Sequence, residues 1–165
     1  MKSLSILILF FGLTLNAQVS KSISVTGDIL KPITINFNDL KNYQIHSVDS
    51  LLIHNHKMEY KSTLKKINGV LLKDVLSKVE FMTDSPRSLS EFYLVCVADD
   101  GYKALFSWNE IFNSGNGDQA LIITKLNGSD AYQLKENIML VTPTDNATGR
   151  RYVKNLSKIL IQQVK

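Results

Sequence analysis

From Phe92 to Ala98 the chain runs through an almost unbroken apolar stretch, FYLVCVA. Its length suits a strand buried on both faces better than a helix. Asp99-Asp100-Gly101 follows, a tight-turn sequence, because glycine tolerates the positive φ that a short hairpin loop demands. Tyr102 to Phe106 then reads as the returning strand. Ser107 and Glu110 stand at capping-box spacing, which predicts a short helix opening at Trp108. A hairpin feeding a capped helix is the expected core unit.

The remaining pattern is mostly that of strands. Ser22 to Gly27 alternates Ile23 and Val25 with polar residues, and Ile33 to Phe37 sets Ile33, Ile35 and Phe37 on one face. Asn36 or Asn38 can cap a short helix running to Tyr43. Ile45 to His56 is predicted extended, either continuous or interrupted at Asp49-Ser50, and Lys57 to Lys66 is an exposed strand or a loop. Leu71 to Val79 has a helical apolar period. Asn113 to Asp118 is loop, Ala120 to Thr124 and Ile138 to Val141 are buried strands, and Lys158 to Val164 closes the chain with Ile159 and Ile161 sharing a face. There is no internal repeat, linker or low-complexity tract. Many strands with few short helices predict an α+β fold.

The N-terminus changes the picture of where the domain begins. Lys2, the mostly apolar run from Leu4 to Leu15 and the small Ala17 form a signal-peptide pattern, with a buried N-terminal helix as the competing reading. Residues 1–17 are therefore expected to be a signal peptide and 18–165 a single domain, periplasmic or secreted. The apolar run falls short of the about 20 residues a membrane span needs, so no stable span is expected after cleavage. At 44% hydrophobic and 21% charged, the composition is that of an ordinary folded domain. The net charge of +4 is spread along the chain rather than clustered, which argues against nucleic acid as a partner. Cys96 is the single cysteine, so no intrachain disulfide can form and stability rests on packing.

Four stretches in order carry a family resemblance. They are Asn68 to Leu76 (NGVLLKDVL), the Ala98-Asp99-Asp100-Gly101-Tyr102 turn with its Ser107-Trp108-Asn109-Glu110 helix start, Asn127-Gly128, and Pro143 to Leu156 (PTDNATGRRYVKNL). Over residues 25 to 164 the set resembles the molybdopterin-binding domain of sulfite-oxidase-type oxidoreductases. That resemblance implies mixed β-sheets with a few short helices, and a molybdenum held by the pterin dithiolene and one cysteine thiolate. By order along the chain that cysteine would fall within Leu51 to Lys57, which contains no sulfur. Cys96, in mid-strand, is better read as a small core hydrophobe. The resemblance also implies a basic clamp on the pterin phosphate, carried here by Arg150, Arg151 and Lys154 after Gly149. The family's Trp after that Lys is Asn155, and its arginine-rich segment after the cysteine has no counterpart. The alternative is a solvated turn bearing ordinary surface arginines.

Two further groups invite chemistry. His54 and His56 form a His-x-His pair, and on a strand such residues share a face about 6.6 Å apart along the chain. A zinc site would need a third ligand, and His46 lies roughly 26 Å from His54 along an unbroken strand. The other reading is two partly exposed histidines. Asp99-Asp100 is explained by turn chemistry, and Tyr102 and Trp108 are expected as packing groups. The sequence thus leaves three functions open. The first is a non-redox module binding a small anionic ligand or a periplasmic protein partner, with no catalytic residue and no cofactor. The second is a molybdopterin-dependent oxidoreductase. The third is a small metal-binding protein built on His54 and His56.

Overall fold

The first strand of the domain lies beside the last. The computed structural model describes residues 21–165, so the expected signal peptide lies outside the described residues. β1 (Ser22–Gly27) runs parallel to β10 (Leu156–Gln163), pairing Val25 with Ile159 and Gly27 with Ile161. The alternation seen in the sequence is the reason: Ile23, Val25, Ile159 and Ile161 are all fully buried while their neighbours face outward. β2 (Ile33–Asn36), β5 (Phe92–Ala98) and β6 (Lys103–Ser107) complete a five-stranded sheet in the order β2-β1-β10-β5-β6. Between β5 and β6, Gly101 turns the chain at a φ of 86°, and the amide of Tyr102 donates to Asp100 Oδ1 at 2.9 Å.

A second sheet is antiparallel. β3 (His46–His54), β4 (Tyr60–Leu71), β7 (Leu121–Leu126) and β8 (Ser129–Asp130) stand in that order, and β9 (Met139–Val141) also pairs with β7. Asn127 and Gly128 both have positive φ, at 54° and 81°, which is the two-residue geometry of a tight β7–β8 hairpin. The buried faces of the two sheets meet in one hydrophobic core. The fold is α+β, with mixed strands and short helices, as the sequence predicts.

Several details differ from expectation. β5 is not buried on both faces. Phe92, Leu94, Cys96 and Ala98 point into the core, while Tyr93, Val95 and Val97 are half-buried on the outer face. Continuous burial is found instead in β7, where Leu121 to Thr124 are all enclosed, and in the short β9, where all three residues are. Two open alternatives are decided rather than overturned: β3 is continuous through Asp49-Ser50, because β4 pairs with it along its length, and Lys61 to Lys66 is the exposed strand of the two readings, within β4. The expected helix over Leu71 to Val79 is a single α-helical turn, α1 (Leu72–Val75). The amide of Val79 bonds instead to the carbonyl of Leu76, so a further turn serves to bury both residues.

The central unit closes with α2 (Trp108–Phe112). Its capping box is formed: the Glu110 amide donates to Ser107 Oγ at 3.1 Å, and the Ser107 amide donates to Glu110 Oε2 at 2.9 Å. Trp108 stacks on Phe112 with ring centres 5.4 Å apart, the packing role expected of it. The 3-10 turn Phe37–Asn42 follows β2, with Asp39 accepting from the backbone and side-chain nitrogens of Asn36. Another 3-10 turn, Thr148–Arg151, sits between β9 and β10 and packs on β3 and β6. That turn organises the candidate site.

Candidate functional site

β3 ends at His54, and the turn that follows is fastened by Asn55. Its Oδ1 accepts from the amides of Lys57 and Glu59, at 2.9 and 3.0 Å, and its Nδ2 donates to Glu59 at 2.8 Å. This places His56 in a turn rather than on the strand, and the β3–β4 register shifts between Ile53 and His54. The shared-face geometry expected of the His-x-His pair is therefore not what brings the two together. Both nonetheless line the same cleft, and the His54 ring meets Tyr60 edge-on at 6.3 Å. Among the described residues, no group of three or more His, Cys, Asp or Glu is placed to hold a metal ion.

The opposite wall comes from the Thr148–Arg151 turn. The buried Thr148 Oγ1 donates to the Leu52 carbonyl at 2.6 Å and accepts from the His54 amide at 3.0 Å, so a side chain takes the place of a neighbouring strand. At Gly149 the backbones come too close for a side chain: a Cβ there would lie 2.8 Å from the His54 carbonyl oxygen. Tyr102, from the β5–β6 turn, donates its hydroxyl to the Arg150 carbonyl at 2.5 Å. Sequence reasoning assigned Tyr102 to packing. It is instead 41% exposed and forms part of the cleft wall.

The cleft so formed has a volume of about 540 Å³. Its polar and charged lining includes His54, His56, Lys61, Tyr102, Arg150 and Lys154, and no carboxylate or sulfur is among the lining residues. Lys61 is paired with Glu59 at 3.1 Å, and Lys154 with Glu136 at 2.9 Å while lying over the Tyr152 ring. Arg150 is exposed, and among the described residues its guanidinium is in no ion pair. Burial pushes the Tyr152 hydroxyl up to about 12, helped by the charge of Glu136, so this cleft residue stays neutral across physiological pH.

The three residues expected as a basic clamp are divided. Arg150 and Lys154 line the cleft, whereas Arg151 is not among its lining residues. The Arg151 guanidinium bonds to Asp145 through Nε at 2.8 Å and through Nη2, and to Glu110 through Nη1 at 2.8 Å. Its Cζ lies over the Phe106 ring, 4.4 Å from the ring centre. Hydrogen bonding to Asp145 raises its pKa; burial opposes this, and Glu110 adds to the rise. The donors of Arg151 are thus taken up by its two carboxylates. Asp145 lies only six residues before Arg151, but the second carboxylate, Glu110, lies 41 residues away and has no local signal.

The donor set can be tested against the molybdenum centre that the resemblance implies. A thiolate must be supplied from the cleft, and the cleft offers nitrogen and oxygen only. Cys96 is fully buried in β5, and burial pushes its thiol up to about 12, with only a partial opposing effect from the Arg151 charge. A thiolate-ligated molybdenum does not fit these residues.

No protein-family model and no curated protein matches the sequence. Among solved structures, the chain is similar to the sulfane dehydrogenase SoxCD from Paracoccus pantotrophus, with a TM-score of 0.63 and 15% sequence identity. The match covers 86% of this chain and 38% of that one. The fold is sulfite-oxidase-like. This likeness reaches the fold and not the chemistry, because sites are grafted on folds and identity is low. Among the described residues, no helix is long and apolar enough to cross a membrane.

Proposed function

We propose that this chain is an exported ligand-binding module that uses a sulfite-oxidase-like fold to hold a small oxyanion or a phosphate-bearing ligand. One observation carries the reading: the cleft between the β3–β4 turn and the Thr148–Arg151 turn is lined by Lys61, Arg150 and Lys154 and by two histidines, with no carboxylate among its lining residues. An anion there would replace water around Arg150 and share Lys154 with Glu136. A guanidinium suits a planar or tetrahedral oxyanion because it donates in a fixed fork. The export part of the proposal rests on Lys2 and the Leu4 to Leu15 run.

The test is calorimetric titration with inorganic phosphate and with a simple phosphomonoester at low salt, on wild type and on the Arg150→Ala, Lys154→Ala double variant. Each charge-assisted hydrogen bond contributes about 1.5–3 kcal/mol. The double variant is therefore expected to bind at least about tenfold more weakly. Equal affinity in both proteins overturns the anion reading.

The likeness in fold supports a second reading, a molybdopterin-dependent oxidoreductase whose metal is held by the pterin alone or by a histidine. Elemental analysis of protein from its native source separates the two. Stoichiometric molybdenum would establish the oxidoreductase, and its absence alongside phosphate binding would support the binding module.

A further inference from the structure

Arg151 joins the two sheets at the cleft. One of its carboxylates, Glu110, belongs to α2, directly after the edge strand β6 of the first sheet. The other, Asp145, lies in the connection that follows β9 of the second sheet. Arg151 is itself the last residue of the turn that carries Gly149 and Arg150. Its side chain is only 18% exposed, and Phe106 beneath it is fully buried. A partly buried cation with two carboxylates and a ring face is fixed in position, because leaving any one partner unpaired is costly.

The residue next to it has far less to hold it. The Arg150 backbone is tied by its amide to the Ala147 carbonyl at 2.8 Å and by its carbonyl to Tyr102. Its side chain has no ion pair among the described residues. The direction in which Arg150 projects is therefore set by the turn, and the turn is set by its neighbours Thr148 and Arg151.

We propose that Arg151 is the positioning residue of this cleft: clamped by Asp145 and Glu110, it holds the 148–151 turn against the end of β3 so that Arg150 faces His54 and His56. The assignment rests on the anion-binding reading for its functional meaning, and its structural half stands apart from that reading. Arg151 touches no ligand and acts only through Arg150.

Two measurements test it. Amide hydrogen exchange needs no ligand. In Arg151→Lys, which keeps the charge but loses the fork, the Arg150 amide should exchange about tenfold or more faster, while amides of β10 keep their protection. Asp145→Asn, which spares the Glu110 contact, should act in the same direction if Arg151→Lys does not fold. Phosphate affinity then forms a double-mutant cycle of Arg151→Lys with Arg150→Ala. Arg151→Lys should weaken binding about tenfold when Arg150 is present and less than about twofold when it is absent. Unchanged exchange at Arg150 overturns the positioning role whether or not phosphate binds. Additive losses in the cycle also overturn it, since they would make Arg151 a general support of the fold. Failure of wild type to bind phosphate defeats the anion reading alone and leaves the exchange result to decide the clamp.

Discussion

Thr148 and His54, 94 residues apart in sequence, share a hydrogen bond of 3.0 Å from the His54 amide to the Thr148 hydroxyl. The same hydroxyl donates to Leu52, so β3 is extended at its edge by a side chain. This is what draws the histidine end of one sheet and the arginine turn into a common cleft. Replacing Thr148 by Val keeps the shape and removes both bonds. The expected loss is about 1–3 kcal/mol, the cost of leaving an amide and a carbonyl unpaired. Urea denaturation should show a lower midpoint at constant slope, and an unchanged midpoint would show that the hydroxyl contributes nothing.

Gly149 should tolerate no side chain, for steric rather than conformational reasons. A Cβ would meet the His54 carbonyl oxygen at 2.8 Å and Ile53 Cγ2 at 3.4 Å. Gly149→Ala is expected to cost about 1–3 kcal/mol as overpacking and to weaken phosphate binding with it. Gly115, where an added Cβ meets nothing within 4 Å, is the control. Gly115→Ala should stay within about 0.5 kcal/mol of wild type. Equal midpoints for the two variants would remove the close approach as an explanation.

Acid should loosen the clamp through Glu110. Burial alone would push its carboxyl up, but hydrogen bonds from Ser107 and Arg151, together with the Arg151 charge, outweigh it and hold the pKa below the ordinary value. A carboxyl depressed in the folded state contributes stability that is present above its unfolded pKa, about 4.3 for Glu. That contribution is lost as pH falls through the lower folded value. Arg151 stays charged throughout. Stability measured from pH 6 downward should therefore fall less steeply in Glu110→Gln than in wild type, and parallel curves would contradict the assignment.

Cys96 should be chemically silent until the domain opens. Its thiol is fully buried and pushed up to about 12. At pH 8 a thiol-specific reagent should label native protein no faster than the domain unfolds, and should label denatured protein promptly. Rapid labelling of the native state would mean that the Cys96 thiol is reached without unfolding.

What the sequence made legible was local. The Asp-Asp-Gly turn and the Ser107/Glu110 capping box were readable because their partners lie within three residues. β4 was harder to read: of Tyr60 to Ile67 only Leu64 and Ile67 are buried, so its outer face mimics a loop. Its identity comes from β3 and β7 on either side, which no local pattern encodes. The basic ending marked the right segment of the cleft but could not distinguish Arg150 from Arg151. The two are adjacent and alike, and only the distant Glu110, with Asp145, separates a cleft residue from a clamp. Tyr102 was missed for the same reason, since its hydroxyl partner lies 48 residues downstream.

The placement of β10 at the centre of its sheet has a consequence for time rather than for shape. β1 and β5 have no contact with each other in the strand order except through Leu156–Gln163. Every strand of the second sheet, by contrast, is complete by Val141. A chain emerging from its N-terminal side can pair β3, β4, β7, β8 and β9 while β1 and the β5–β6 hairpin still wait for a partner. The first sheet must then assemble in a late, long-range step, the kind that slows folding and leaves unpaired strand edges exposed meanwhile.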